Sequence, residues 1–395
     1  MIDNKLLARN MIEDTFDSDS FIQRLFLFDN YIIESIRLKE IPHIINLIGY
    51  DGLLILLKSN ILRIKCDVNQ FGEVGRLRDR PDGNEKILDY EQYSFNIISS
   101  VESYYLTKCF KEIESRVGLS KKEFIKLKEA ISDNLVRAPK ELGQKTLNGC
   151  LEEINRSEHL ISLLIKNIIN EDLNIKIKES DIKLNIEIIS NNDILVESNL
   201  HTEFKEKFDL SKSHEIVSKA LLSLVSTNLK FEVMETFNTK TLLNDKDTVC
   251  IDKKLQFLIK DANINEKNFS RVLEIKNYPK LNLRPDIKVN IDKLIEIRES
   301  KNCIEFRNWI NTVDKLTNDE INDYLKSYRD TIKNFLIHPG GKTLRFLATT
   351  SVGILNPIAG VTLSAIDTFL IDKFLGTNGS KIFLSEDYAR IFDLV

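Results

Sequence analysis

The sequence predicts a mainly α protein with α+β character: a mixed N-terminal module, one central β-hairpin and a helical C-terminal half. Three observations carry this expectation. Apolar residues recur at helical spacing over much of the chain, as at Phe124, Leu127, Ile131 and Leu135, where a period near 3.6 gathers them on one face. Residues 182–188 alternate strictly between apolar and polar, the pattern of a half-buried strand. The composition is that of a folded chain: 42% hydrophobic and net charge -4 over 395 residues, too apolar and too near neutral for disorder. This length suits two or three folding units.

The first unit, residues 1–118, mixes helix and strand. Residues 21–40 are apolar and amphipathic and predict a helix. Pro42 suits the first turn of a short helix over 43–48, which Gly49 ends in left-handed geometry. A short apolar segment follows at 51–58, and 61–68 alternates as a strand. Gly72, Gly75, Pro81 and Gly83 amid mixed charge read as an exposed loop over 71–89. A second strand is expected at 93–99 and a helix at 101–115.

The second unit, residues 119–240, is predicted to be helical around a hairpin at 182–200. Ser120 and Glu123 have the spacing of a capping box, in which hydroxyl and carboxylate each satisfy an orphan backbone N–H. Residues 146–169 read as one long helix. Asn191, Asn192 and Asp193 supply turn chemistry between strands at 182–188 and 194–200, and 213–236 reads as a helix. The third unit, 241–395, is expected to be a helical domain ending in an apolar hairpin at 346–375. Its helices are a candidate over 290–313 and another after a second capping box, Thr317 to Glu320, which Gly340 and Gly341 end.

Bulk properties exclude several function classes. Charge near zero argues against a protein built mainly to neutralise a phosphate backbone. The cysteines Cys66, Cys109, Cys150, Cys250 and Cys303 form no C-x-x-C pair and have no His at metal-ligand spacing, as expected of buried free thiols in a cytosolic protein. The start of the chain carries acids early and lacks an apolar h-region, so a cytoplasmic protein is expected. No H-E-x-x-H or G-x-S-x-G occurs. Gly340 to Thr343 has the end of a phosphate loop, but the first glycine of that motif would fall at Leu336.

Three stretches bear on function. From Phe346 to Ile366 no residue is charged. That length would span a bilayer core, but Asn356 and Pro357 divide it into two short helices, Asn356 capping the second. Phe346, Ile354, Ile358, Val361 and Ile366 would then be core, or a conditional contact with a membrane or a second subunit. A second stretch, Arg271 to Asn277, contains Glu274 and Lys276 as E-x-K, with Asp261 or Asp252 upstream. Over residues 252–276 it resembles the PD-(D/E)xK nucleases. The resemblance implies Mg²⁺ held by Asp261 and Glu274, Lys276 acting on the attacking water, and a nucleic-acid substrate. The Pro-Asp pair of that pattern is missing, and the same residues also fit a helix stopped by Pro279.

The third stretch runs from Ile297 to Trp309. Arg298, Glu305, Arg307 and the single Trp309 fall at turn-spaced positions, either a core anchor with surface ion pairs or a partner-binding face. This string and the run from Ala365 to Lys373 resemble parts of uncharacterised bacterial proteins, some of them defence-associated. The expected function is non-enzymatic: an interaction or sensor/effector protein in bacterial antiphage defence, with no cofactor and with a protein partner or a second copy of itself. The alternative is the Mg²⁺-dependent nuclease.

Overall fold

The computed structural model describes residues 5–12, 15–66, 70–77, 89–98, 103–139, 141–156, 158–204, 206–207, 209–242, 250–251, 254, 271–278, 288–312, 342–348 and 387. The protein is mainly α with α+β character, as expected, but its strands are more numerous and more widely drawn than the sequence predicts. Among the described residues twelve strands form a six-stranded sheet, a four-stranded sheet and a small two-stranded ribbon.

The six-stranded sheet begins with β1 (Lys5–Ala8), β4 (Asn30–Glu34) and β5 (Leu62–Lys65). They lie parallel, Leu6 opposite Tyr31 and Tyr31 opposite Leu62. Between β1 and β4 come the ribbon strands β2 (Met11–Ile12) and β3 (Thr15–Phe16), then α1 (Ser18–Leu27). Asp17 starts α1 by accepting from the Ser20 amide at 3.0 Å, satisfying one orphan donor of the first turn. Between β4 and β5 lies α2 (Glu40–Lys58), which breaks at Gly49 where φ is +80°, as Gly49 predicts.

The expected helix over 21–40 is corrected: α1 ends at Leu27 and β4 follows. Tyr31, Ile32 and Ile33 are all buried, and a strand covered on both faces is apolar throughout, which hides its period.

The other side of the sheet comes from distant chain. β10 (Lys240–Leu242) pairs parallel to β1, β12 (Lys342–Ala348) antiparallel to β10, and β11 (Arg271–Tyr278) antiparallel to β12. β11 and β12 correct the expectation of a helical C-terminal half. Phe346, Leu347 and Ala348 are strand residues, so the helical hairpin expected from 346 does not begin there. The remaining candidates of that run, Ile354, Ile358, Val361 and Ile366, lie outside the described residues, as does the helix expected after Thr317.

The second sheet contains β6 (Gln70–Leu77), β7 (Asp89–Ile98), β8 (Leu184–Ile188) and β9 (Asp193–Ser198), in the order β6-β7-β9-β8 and antiparallel throughout. The β8–β9 hairpin is the predicted one. The loop expected over 71–89 is corrected at 71–77, where Gly72 and Gly75 sit within a strand paired along its whole length to β7.

Helices fill both sides. α3 (Ser103–Val117) and α4 (Lys121–Asp133) join α1 and α2 on one core. The predicted capping box opens α4: the Ser120 amide donates to Glu123 Oε2 at 2.9 Å and the Glu123 amide to Ser120 Oγ at 3.3 Å. The helix expected over 146–169 is two, α5 (Leu142–Arg156) and α6 (Glu158–Asp172). A short α7 (Leu200–Glu203) precedes α8 (Leu210–Phe237), while α9 (Ile291–Arg298) and α10 (Lys301–Thr312) replace the single helix expected over 290–313.

α8 links the two sheets. Its Ile216, Val217, Leu221 and Leu224 pack with Tyr93, Ile194 and Val196 of the four-stranded sheet. Further along, Val233 meets Leu7 and Ile32 on the six-stranded sheet. Leu6, Ala8, Tyr31 and Ile33, on the opposite face, pack against α1 and α2. At β1 and β4 the six-stranded sheet is therefore covered on both sides, and each fully buried Leu or Ile contributes about 1.5–3 kcal/mol.

Candidate functional site

Topology marks one position on the larger sheet. From β1 the chain moves to β4 and then β5 in one direction, with α1 and α2 on one face. It later returns to the other side of β1 as β10, arriving from α8 on the opposite face. Connections that leave neighbouring parallel strands in opposite directions open a crevice at the strands' carboxyl ends. Here that position lies beyond Ala8, and the residues at this edge are Arg9, Asn10, Glu34, Ser35 and Lys65.

They form a connected polar group. Arg9 Nε donates to Glu34 Oε2 at 3.1 Å, and Lys65 Nζ to Glu34 Oε1 at 3.4 Å. Lys65 is fully buried, whereas the Arg9 side chain is 53% exposed. Burial pushes the Glu34 carboxyl up, but Lys65 and Arg9 together outweigh it and hold Glu34 below its usual value. Glu34 therefore stays ionised, and Lys230 adds a further positive charge close to it. Ser35 Oγ donates to the buried Glu40 carboxylate at the start of α2. Burial lifts the Glu40 carboxyl to about 7, against the pull of Ser35.

A second layer holds the turn after β1. Tyr31 hydroxyl donates to Asn10 Oδ1 at 2.8 Å and accepts from Arg24 Nη1 at 2.8 Å. Arg24 also donates to the Arg9 carbonyl at 2.6 Å, and Asn10 Nδ2 to the Asp17 carbonyl at 2.7 Å. Burial pushes the Tyr31 phenol up to about 12, against Arg24. The backbone of Arg9 is thus fixed from below while its guanidinium faces solvent. This edge carries Arg9, Lys65, Lys230 and Arg24 against Glu34, Asp17 and a partly neutral Glu40, a small local positive excess on a chain of net charge -4. The arrangement is suited to holding an anionic group.

Motif reading misses this group, since its members are single charges far apart in sequence. The available signal is positional: Arg9 and Glu34 each close a short apolar run, Leu6–Ala8 and Tyr31–Ile33, and Lys65 follows the alternating Leu62, Arg63 and Ile64.

The residues singled out from the sequence fare differently. Arg298 and Arg307 face inward, each 3% exposed. Arg298 donates to the carbonyls of Leu25, Phe28 (2.9 Å) and Asp29 (2.7 Å) at the end of α1. Arg307 donates to Asp29 Oδ1 at 3.1 Å and to the Arg298 carbonyl at 2.8 Å. Neither presents a partner face; they clamp α1 from within. Glu305 is paired at 3.8 Å with Lys301. Trp309 belongs to α10, and its side chain lies outside the described residues.

Glu274 and Lys276 are two apart in β11, a strand and not the alternative helix. Glu274 is in register with Arg345 of β12. Asp261 and Asp252 lie outside the described residues. Among the described residues no group of three His, Cys, Asp or Glu is placed to hold a metal ion.

A separate constellation sits between β7 and α8. Glu91 Oε2 pairs with His214 Nδ1 at 3.0 Å and accepts from the Tyr93 hydroxyl. The Tyr93 and His214 rings stack at 5.3 Å. A carboxylate orienting an imidazole suits proton transfer.

Among the described residues one helix, Glu40–Lys58, is long and apolar enough to cross a membrane, but 61% of its apolar window is buried inside the protein. Comparison with protein-family models, with curated proteins and with solved structures finds no match to this chain.

Proposed function

We propose that the chain is a ligand-responsive sensor or effector that takes a small anion, a phosphate- or carboxylate-bearing molecule, in the crevice at the carboxyl edge of β1, β4 and β5. The observation that carries this reading is the half-exposed Arg9 guanidinium. It is oriented through Nε by an ionised Glu34 that the buried Lys65 backs, at the position where the sheet reverses its strand order. Guanidinium donors in a fixed orientation are well matched to phosphate and carboxylate oxygens. The resemblance of two stretches to uncharacterised bacterial proteins, some of them defence-associated, is the ground for antiphage defence as the setting, with a protein partner or a second copy receiving the signal.

The test is thermal stability of the full chain against pyrophosphate, nucleoside mono-, di- and triphosphates, sugar phosphates and dicarboxylates. A ligand at about a hundred times its Kd stabilises by about 2.7 kcal/mol, an easily read rise in melting midpoint. At least one member of the panel raises the midpoint of the wild type, and Arg9→Ala abolishes the rise while the exposed Lys122→Ala does not. A panel with no effect on the wild type, or an equal rise in Arg9→Ala, refutes the reading.

One observation favours a second reading. A strand over 271–278 is what the nuclease alternative requires, although the register with β12 shifts between Ile275 and Tyr278, so simple alternation does not carry from Glu274 to Lys276. That reading places Mg²⁺ at Glu274 with Asp261 or Asp252. It expects Mg²⁺-dependent cleavage of DNA or RNA that is lost in Lys276→Ala; preparations that leave both substrates intact over a range of Mg²⁺ concentrations argue against it.

A further inference from the structure

Two carboxyls stand at the crevice edge in opposite surroundings. Glu34 ends β4 between Arg9 at 3.1 Å and Lys65 at 3.4 Å. Glu40 opens α2 with 2% of its surface exposed, and its side chain accepts a hydrogen bond from Ser35 Oγ. Among the described residues no cation pairs with it. Ser35 directly follows Glu34, is 1% exposed, and donates its amide to the Lys65 carbonyl at 2.9 Å. A chain of short contacts thus runs from Arg9 through Glu34 and Ser35 to Glu40. A buried carboxylate beside a hydroxyl but no cation keeps most of its desolvation penalty, and a proton removes it. Burial accordingly lifts Glu40 to about 7.

The charged and titratable groups around Glu40 come from every side. From the strand ends, Arg9 favours its ionised form and Glu34 opposes it, and Tyr31 of β4 lies within its field. On α2 itself Lys39 precedes it and His43 follows one turn on. α3 packs against α2 and the turn before it. Its Tyr105 lies near Arg37 of that turn, and its Arg116 joins burial in lowering the His43 imidazole. α4 and the turn before α9 meet α2 further along, at Tyr50 and Leu47. Among the cations Arg9 acts most strongly on Glu40.

We propose that the crevice takes its anion together with a proton, which Glu40 holds. The inference rests on the anion site proposed above and adds its regulation by pH. An anion seated on Arg9 offsets the positive charge that favours ionised Glu40 and brings a negative charge towards it. Glu34 does not take the proton, because the buried Lys65 stays paired with it. Glu40 takes it from solvent and becomes a neutral acid. Its new O–H donates to Ser35 Oγ, so the Ser35 hydroxyl hydrogen, until then directed at Glu40, turns to another acceptor. Binding therefore strengthens as pH falls and weakens as pH rises through 7.

The experiment titrates sulfate, pyrophosphate, ATP, a hexose phosphate and succinate into the full chain by calorimetry at about pH 6, 7 and 8. Buffers of different ionisation heat count the protons exchanged. Wild type, Arg9→Ala and Glu40→Gln are compared, and the comparison with Glu40→Gln removes the anion's own ionisation. For an anion whose binding Arg9→Ala abolishes, wild-type affinity falls about five- to tenfold from pH 6 to pH 8 relative to Glu40→Gln. Glu40→Gln, which has the shape of the neutral acid, keeps the low-pH affinity and lacks that proton uptake. Difference infrared spectra of the wild type gain a protonated-carboxyl band on binding, which separates Glu40 from His43 and decides the matter if Glu40→Gln does not fold. Arg9-dependent binding with equal proton uptake in wild type and Glu40→Gln, or with no gain in the carboxyl band, overturns this inference and leaves the anion site standing. No Arg9-dependent binding by any of these anions overturns both.

Discussion

Replacing Arg298 by Met tests the inward clamp on α1. The side chain is 3% exposed and donates to three carbonyls that α1 and its following turn leave without a helical partner. Met keeps most of the volume and removes every donor. Each carbonyl left buried and unpaired costs about 1–3 kcal/mol, and hydrogen bonds from a charged donor stand at the upper end of that range. Removing the buried guanidinium, which crowds Arg307, returns part of its desolvation penalty. The balance is a local loss of about 3 kcal/mol, or roughly 100-fold in an opening equilibrium, since about 1.4 kcal/mol is tenfold. A chain with several packed layers need not unfold in one step, so the assay is hydrogen–deuterium exchange read peptide by peptide. Exchange across residues 18–29 should accelerate about 100-fold, while α5 and α6, in the other core, keep wild-type rates. Exchange within about threefold of wild type across 18–29 would refute the clamp. It would also return Arg298 to the surface role its charge suggests.

Three further outcomes follow from the same contacts. Glu40 rises from its ordinary 4.5 to about 7 on folding, so the folded state holds the proton more tightly than the unfolded one. Its contribution is fully present below 4.5 and lost as pH rises to 7, a decline of about 3 kcal/mol. Glu40→Gln should flatten denaturant stability between those values, and an unchanged slope counts against the assignment. Glu34→Gln strands the buried Lys65 charge and should destabilise by about 3 kcal/mol; adding Lys65→Met should recover most of it, and simple additivity in the double-mutant cycle would sink the pairing. Ser120→Ala removes one half of the capping box and should cost about 1 kcal/mol, seen as faster exchange confined to the first turn of α4.

Local chemistry was legible in the sequence, and long-range pairing was not. Ser120 and Glu123, Gly49, and the alternating residues of β8 all act within a few positions of themselves, so spacing alone identifies them. β10 has only Lys240, Thr241 and Leu242, too few residues to show a period. It is a strand because Leu6 and Leu7 of β1 lie beside it in the sheet. Gly72 and Gly75 signal a loop in isolation, and pairing with Asn96 and Tyr93 of β7 overrides them. Arg298 and Arg307 read as surface residues because charge is normally exposed. Their inward orientation follows from the carbonyls at the end of α1, which no pattern around residue 298 reveals. Arg9, Glu34 and Lys65 lie in three separate segments, and nothing short of the parallel register brings them together.

That register also explains why charged residues are tolerated at this edge. Along β1, β4 and β5 the apolar positions are buried on both faces. At the strands' carboxyl ends Lys65 is buried with ionised Glu34 beside it, and Lys65, Arg9 and Lys230 outweigh the burial of Glu34. Removing any one member changes the charge state or the exposure of the other two. An arrangement this interdependent is a costly way to stabilise a sheet, since apolar residues of similar size often do as well or better. Under the proposed function, an anionic ligand would draw on the exposed face of Arg9 at this edge.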